Sequence, residues 1–336
     1  MPANARIEPM FGLIIAFLVA GAGPLYDNPV ADQLIRRAME ATYNLELTAA
    51  RERARALQSQ FPDHPAGFTM AAETYWWEAQ MDPGNKAIED AYYRAQKLAV
   101  EKGESALKAG AYPKIEILAY IASTHGSHAR FQVTQKEAYF SAMMAGRRAH
   151  KYAEQVFEAD KSYYDIWVGI GAYNYFTGSL PSVIKPFAWI FGARGDKNLG
   201  FEQLKAAIQK ARYAQTEGRI VYYTALLEDQ QYGPAFQVLQ KLQADHSQNF
   251  VFYTWATDWF RRQSKNREGT EYFEKVYQSE IRTSPLMAKY ALLEKAHLLA
   301  AETRKAEAVR TLDRVNLIPG NDRLLESKVQ ALRKAL

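Results

Sequence analysis

From Asn28 onward the apolar residues recur at spacings of three and four, and strand-like alternation is nearly absent. That period predicts helices almost throughout. The breaks fall at "FPDHP", "MDPGN", "KAGAYP", "EDQQYG", "RTSP" and "LIPGN", each rich in the Pro, Gly, Asn and Asp that end helices. The pieces between them are mostly single helices of about 14 to 24 residues joined by short turns, the layout of helical hairpins stacked in series.

A longer period runs through the pattern. With Ala50 as the small residue of a second helix, Pro62 falls twelve residues after it and Ala38 twelve before it. The next unit begins at Pro65 and carries Phe68, Ala71, Ala72 and Tyr75, in the order aromatic, small, small, aromatic. Trp167, Ile170 and Gly171 repeat part of that arrangement, as do Tyr253, Ala256, Thr257 and Phe260. Near the end, Ala296, Leu299, Ala308, Leu312 and Pro319 return to it. Small residues let two helices approach closely, and large aromatics fill the gap toward the next hairpin. The stretch from Asn85 to Asp160 fits the period poorly and reads as longer helices.

These residues resemble the tetratricopeptide repeat, a helix-turn-helix unit of 34 residues. The stretch "DIWVGIGAYNYFTGSLPSVIKPFAWIFGARGDKNLGFEQLKAA", from Asp165 to Ala207, and the following "LLEDQQYGPAFQVLQKLQADHSQNFVF" are similar to exported bacterial repeat proteins of unassigned function. They are distantly similar to a eukaryotic family associated with the outer mitochondrial membrane that includes the yeast inclusion-body clearance protein. The resemblance implies an all-α fold, a right-handed α-α superhelix over residues 28–336, and a scaffold role. It carries over no catalytic residue.

Within that frame residues 178–200 stand out as an apolar insertion. Pro181 and Pro186 break a continuous helix, so "SLPSVIKPFAWIFG" reads as a turn and a short apolar helix from about Pro181 to Phe191. One reading makes it a plug for the solenoid interior. The other makes Phe187, Trp189, Ile190 and Phe191 an interfacial segment, flanked by Lys185 and Arg194 and too short to span a bilayer. Asp196 or Asn198 is expected to cap the helix that follows. Gly169, Gly171 and Ala172 read as close-contact positions.

The first residues change the picture of where the protein works. Arg6, an apolar run from Phe11 to Ala20 and the small Ala20-Gly21-Ala22 have the layout of a secretory signal, so cleavage after about residue 22 and a place in the periplasm or cell envelope are expected. An uncleaved anchor and a buried N-terminal helix are the alternatives. Cysteine is absent, which excludes disulfides and thiol catalysis. The net charge of +5 is spread thinly, with no basic run of the length that nucleic acid attracts.

Candidate chemistry is sparse. No P-loop, G-x-S-x-G or dinucleotide fingerprint occurs. His125 and His128, three apart on one helix face, could serve a metal-dependent or other hydrolase, but no H-E-x-x-H pattern and no third ligand accompany them, and Gly126 between them reads as a close helix contact. Neither a cofactor nor a metal is therefore expected, and the chain reads as a non-enzymatic binder of a protein or peptide. On the register above, its concave groove would present Glu73, Trp76, Trp77, Val168, Ala172, Tyr175, Asp258, Arg261 and His297. A membrane-apposed assembly factor working through residues 181–191 is a further reading.

Overall fold

Four turns of the chain share one piece of local geometry. Leu45, Gln230, Ser264 and Thr303 all take the left-handed backbone conformation, with φ of 61°, 57°, 56° and 61°. In each case the next residue's N–H bonds the carbonyl five positions back: Glu46 to Ala41, Gln231 to Leu226, Lys265 to Phe260 and Arg304 to Leu299, at 2.8–3.0 Å. This is the Schellman closure of a helix, which satisfies carbonyls that the helix end leaves open. A side chain in this conformation costs roughly 1–2 kcal/mol, so the tight reversal repays it by letting two helices pack at once. Gln230 and Ser264 lie 34 residues apart, one repeat period.

The computed structural model describes residues 23–180 and 194–336. Among them are fifteen α-helices and no strand. The first hairpin is α1 (Pro29–Tyr43) with α2 (Leu47–Gln60), followed by α3 (Ala66–Met81) with α4 (Lys86–Ala109), α5 (Lys114–Lys136) with α6 (Tyr139–Ala159), and α7 (Trp167–Gly178) with α8 (Lys197–Lys210). Next come α9 (Gln215–Glu228) with α10 (Tyr232–Asp245), α11 (Val251–Arg262) with α12 (Asn266–Glu280), and α13 (Pro285–Ala301) with α14 (Lys305–Asn316). A last helix, α15 (Arg323–Ala335), packs its buried Leu325, Val329 and Leu332 on the final hairpin. Successive hairpins touch through their first helices, α1 to α3, α3 to α5, α5 to α7, α7 to α9, α11 to α13 and α13 to α15. The chain is thus a tetratricopeptide-repeat-like α-helical solenoid.

The small positions sit where the hairpins close. Ala38, Ala50, Ala72, Ala256, Ala296 and Ala308 are buried, with Leu299 and Leu312 beside the last two. The irregular stretch is α4, α5 and α6, of 24, 23 and 21 residues, while α7, α11 and α14 are shorter than the period suggests, at 12 each.

The glycines around α7 and α8 have a specific use. A Cβ on Gly171 would stand 3.0 Å from the Gly200 carbonyl and from Leu204, and one on Gly200 would stand 2.5 Å from the Tyr175 nitrogen. The two helix backbones therefore cross almost in contact. Asp196 caps α8, accepting from the N–H groups of Asn198 and Leu199 at 2.8 and 3.0 Å. Two expectations need correcting: Gly169 and Gly126 face open space, with nothing within 4 Å of an added Cβ, so neither marks a close contact. The signal-like residues 1–22, and the short helix placed near Pro181 to Phe191, lie outside the described residues.

Candidate functional site

The solenoid closes on itself. Asn249, fully buried between α10 and α11, donates its side-chain amide to the Tyr43 carbonyl at the end of α1, 2.8 Å away. Trp77 of α3 meets Phe252 edge-on at 5.8 Å and stacks on Trp255 at 6.4 Å, both from α11. At the rim, Asp32 of α1 accepts from Arg212 and Tyr213, which precede α9. Burial would raise the Asp32 pKa, but hydrogen bonds from Arg36, Tyr213 and Arg212 outweigh it and bring it down to about 2. The first two hairpins therefore cover the inner face of the fifth and sixth.

An ionic cluster lies at this closure. Arg130 of α5 pairs with Glu73 of α3 on one side and with Glu217 of α9 on the other, and its guanidinium lies 3.6 Å from the centre of the Trp76 ring. Ser127, one turn earlier on α5, donates to the second oxygen of Glu73 at 2.8 Å. Burial and the nearby Glu73 charge push the Glu217 pKa up against the pull of Arg130. Burial raises that of Tyr43, which lies against Glu217. Two carboxylates held by one guanidinium bind three helices together. Both are engaged with Arg130.

This closure corrects the expected groove. Trp76 and Trp77 are 1% and 0% exposed, and both indole rings belong to the core. Val168 packs with Leu204, Ala207 and Ala225, and Tyr175 is buried with its hydroxyl donating to the Ala225 carbonyl at 2.7 Å. All four side chains are buried within this chain and do not line an open groove. The helical register marks a residue as inward, yet the inward direction here is another part of the same chain. Glu73 is bound to Arg130, and Ala172 is half-buried.

The remaining three candidates lie on α11 and α13. Asp258 and Arg261 are exposed on α11, and His297 is half-buried on α13. Asp258 accepts from Arg262 at 2.8 Å, and Arg262 also reaches Glu228 at 3.1 Å. Burial lowers the His297 pKa, Glu294 opposes the change, and the Arg261 and Lys328 charges add to it. Glu294, almost fully buried beneath them, accepts from Thr254 at 2.9 Å and Thr257 at 2.7 Å. Sequence reasoning missed Glu294, Arg130, Glu217 and Asn249. The only available signal was a charged or amide residue set on an otherwise apolar helix face.

The histidine pair separates into two ring contacts. His125 is buried and lies parallel to Tyr152 at 5.9 Å, and burial with the Arg148 charge lowers its pKa to about 4. His128 lies parallel to Tyr92 at 6.3 Å, with its pKa lowered by burial and Arg148. Among the described residues, no group of three or more His, Asp or Glu side chains is placed to share an ion. A further buried pair was not foreseen: both oxygens of Glu116 accept the Leu25 N–H, at 3.1 and 3.0 Å, with His64 Nε2 3.8 Å away. It holds the start of the described chain against α5.

Phe187, Trp189, Ile190 and Phe191 lie outside the described residues. Among the described residues, several large apolar side chains of α5, α6 and α7 are partly exposed. Tyr139 and Phe140 are 69% and 64% exposed, and Val133 and Phe176 are exposed as well. No helix among the described residues is long and apolar enough to cross a membrane.

No family profile and no curated protein matches the chain. Among solved structures it is similar to a tetratricopeptide repeat protein from Parabacteroides merdae, at 12% identity, with 90% of this chain and 98% of that one covered and a TM-score of 0.38. The solenoid assignment stands on the hairpin geometry above.

Proposed function

We propose that this protein is a non-enzymatic scaffold of the cell envelope that binds a protein or peptide partner on the exposed stretch of α11, α13 and α15. The single observation that carries the reading is how the charged groups are used. Arg130, Glu73, Glu217 and Asp32 tie the solenoid to itself, whereas Arg261 and Lys328 stand beside a half-buried histidine with no ion pair of their own among the described residues. Helical-hairpin solenoids present such helix faces to extended segments of other proteins, and arginine beside a partly desolvated ring is a frequent anchor. Charges of both signs line this surface, Arg261 and Lys328 beside Asp258 and Glu228, which suits a partner segment with polar and charged side chains.

The location rests on the signal-like residues 1–22. N-terminal sequencing of the protein from its native host tests it: a mature chain beginning near Gly23 is expected, and intact Met1 in the cytosolic fraction would remove the envelope assignment. The binding surface is tested by photo-crosslinking from position 261 in the native host. A discrete crosslinked partner that disappears in Arg261→Glu/His297→Ala is expected. Crosslinking indifferent to those changes, or stoichiometric zinc with hydrolytic activity in the purified protein, would overturn the reading.

A further inference from the structure

A cleft of about 810 Å³ opens where α4 ends, α5 begins and α6 runs back beside them. Its floor is apolar: Ile117 and Leu118 are 0% and 2% exposed, and the half-buried Leu107 of α4 adjoins them. Tyr112 from the α4–α5 turn and Tyr152 of α6 form the walls. Each ring is set by a histidine: His64 meets Tyr112 edge-on at 4.6 Å, and His125 lies parallel to Tyr152 at 5.9 Å. The volume lies in the range of small-molecule sites, about 300–1,000 Å³.

The mouth carries charge of one sign. Lys114 opens α5 and Lys151 lies on α6; both are exposed, both line the cleft, and neither makes an ion pair among the described residues. No carboxylate lines it. Glu116 lies roughly 150° around α5 from the cleft residues, at about 100° per residue, and is taken by the Leu25 N–H. Along α6 the residues that meet α7, His150 and Phe157, likewise lie roughly 150° around from Lys151, Tyr152 and Gln155. Glu154 acts on that α7 side, on His150 and Tyr173. The cleft thus faces away from both the start of the described chain and α7.

Two unpaired ammonium groups at the mouth of an apolar floor select one kind of occupant. An anionic head meets the lysines, whose long stems let the charge reach it, while an apolar chain lies along the floor. A cationic head is repelled there, and a neutral one gains nothing from the ammonium groups. We propose that this cleft is a binding site for a small amphipathic anion, a single apolar chain ending in a carboxylate or phosphate, with Lys114 and Lys151 holding the head and Leu107, Ile117 and Leu118 the chain. This goes beyond the scaffold assignment and does not rest on it, because the cleft belongs to α4, α5 and α6 and the partner surface to α11, α13 and α15.

Titration calorimetry of the purified chain with decanoate, decyl phosphate and decyltrimethylammonium, each below its micelle concentration, tests it. One equivalent of decanoate or decyl phosphate is expected to bind, the tighter of the two identifying the head, and the ammonium compound should bind roughly tenfold or more weakly. Lys114→Gln/Lys151→Gln should weaken the anion roughly tenfold or more with helical circular dichroism unchanged, since a hydrogen bond to a charged group is worth about that factor. Lys114→Gln alone, a change at an exposed side chain, keeps the test valid if the double variant folds poorly. In the unaltered chain the methyl resonances of Ile117 and Leu118 should shift as the anion is added. Four results would overturn the proposal: binding of neither anion, equal binding of the ammonium compound, affinity unchanged by the lysine substitutions, or methyl shifts confined to other residues.

Discussion

The side-chain amide of Asn249 donates to the backbone carbonyl of Tyr43 across 206 residues of sequence, at 2.8 Å and in a fully buried setting. Its own carbonyl oxygen accepts from the Val251 N–H at 3.0 Å, which opens α11. One side chain thus starts a helix in the sixth hairpin and ends one in the first. Asn249→Ala leaves a buried carbonyl and an N–H without partners, and each such loss costs about 1–3 kcal/mol. Urea unfolding should show a loss of roughly 2–4 kcal/mol. A change below about half a kcal/mol would mean that the closure does not hold the fold.

Arg130→Met should be more damaging than its partial exposure suggests. It removes the guanidinium and leaves Glu73 and Glu217 facing each other, and breaking a buried ion pair on one side costs roughly 3–5 kcal/mol. The side chains are about a fifth exposed, so the lower end is expected. Glu217→Gln in the same background should recover much of the loss by removing the repulsion. Without Arg130 the Glu217 carboxyl pKa rises further above its unfolded value, and such a group stabilises when protonated. The single variant should therefore lose less, relative to wild type, near pH 4 than at pH 7. Equal losses at both pH values would contradict the assignment.

Five buried or half-buried histidines, His125, His128, His150, His246 and His297, have pKa values lowered mainly by burial. When the folded pKa lies below the unfolded one, the unfolded chain binds more protons between the two values, so stability falls as pH drops through that window. For His125 the window runs from the ordinary 6.5 down to about 4. The shift corresponds to roughly 3 kcal/mol at most. Chemical denaturation from pH 7.5 to 4 should show a steady decline that is shallower in His125→Gln. A flat profile over that range would show that these rings take up protons without opening the core.

The glycines of α7 divide into two kinds. Gly171→Leu forces a side chain against the Gly200 carbonyl and Leu204, 3.0 Å from where its Cβ would sit, and should cost about 1–3 kcal/mol through overpacking. Gly169→Ala meets nothing within 4 Å and should stabilise by roughly 0.5–1 kcal/mol through helix propensity. Thermal melts of both variants decide the matter. Equal responses would remove the close α7–α8 crossing.

Helix, hairpin and repeat were legible because they follow from local rules. A three-and-four apolar spacing makes a helix amphipathic wherever it sits, and small residues such as Ala38, Ala50 and Ala256 mark close packing between neighbours in sequence. Asp196 could be read as a cap because its partners lie two and three residues on. Turns at Leu45, Ser264 and Thr303 were hidden, because their left-handed backbone is imposed by the helices they join and not by Gly or Pro. The candidate groove failed at Trp76 and Trp77 for a related reason. Periodicity identifies the buried side of a helix, but whether that side faces solvent, a partner or a distant hairpin depends on how small rotations between hairpins add up. Here they bring α11 back over α3, and that closure turned two expected contact residues into core and gave Arg130 and Glu217 their partnership.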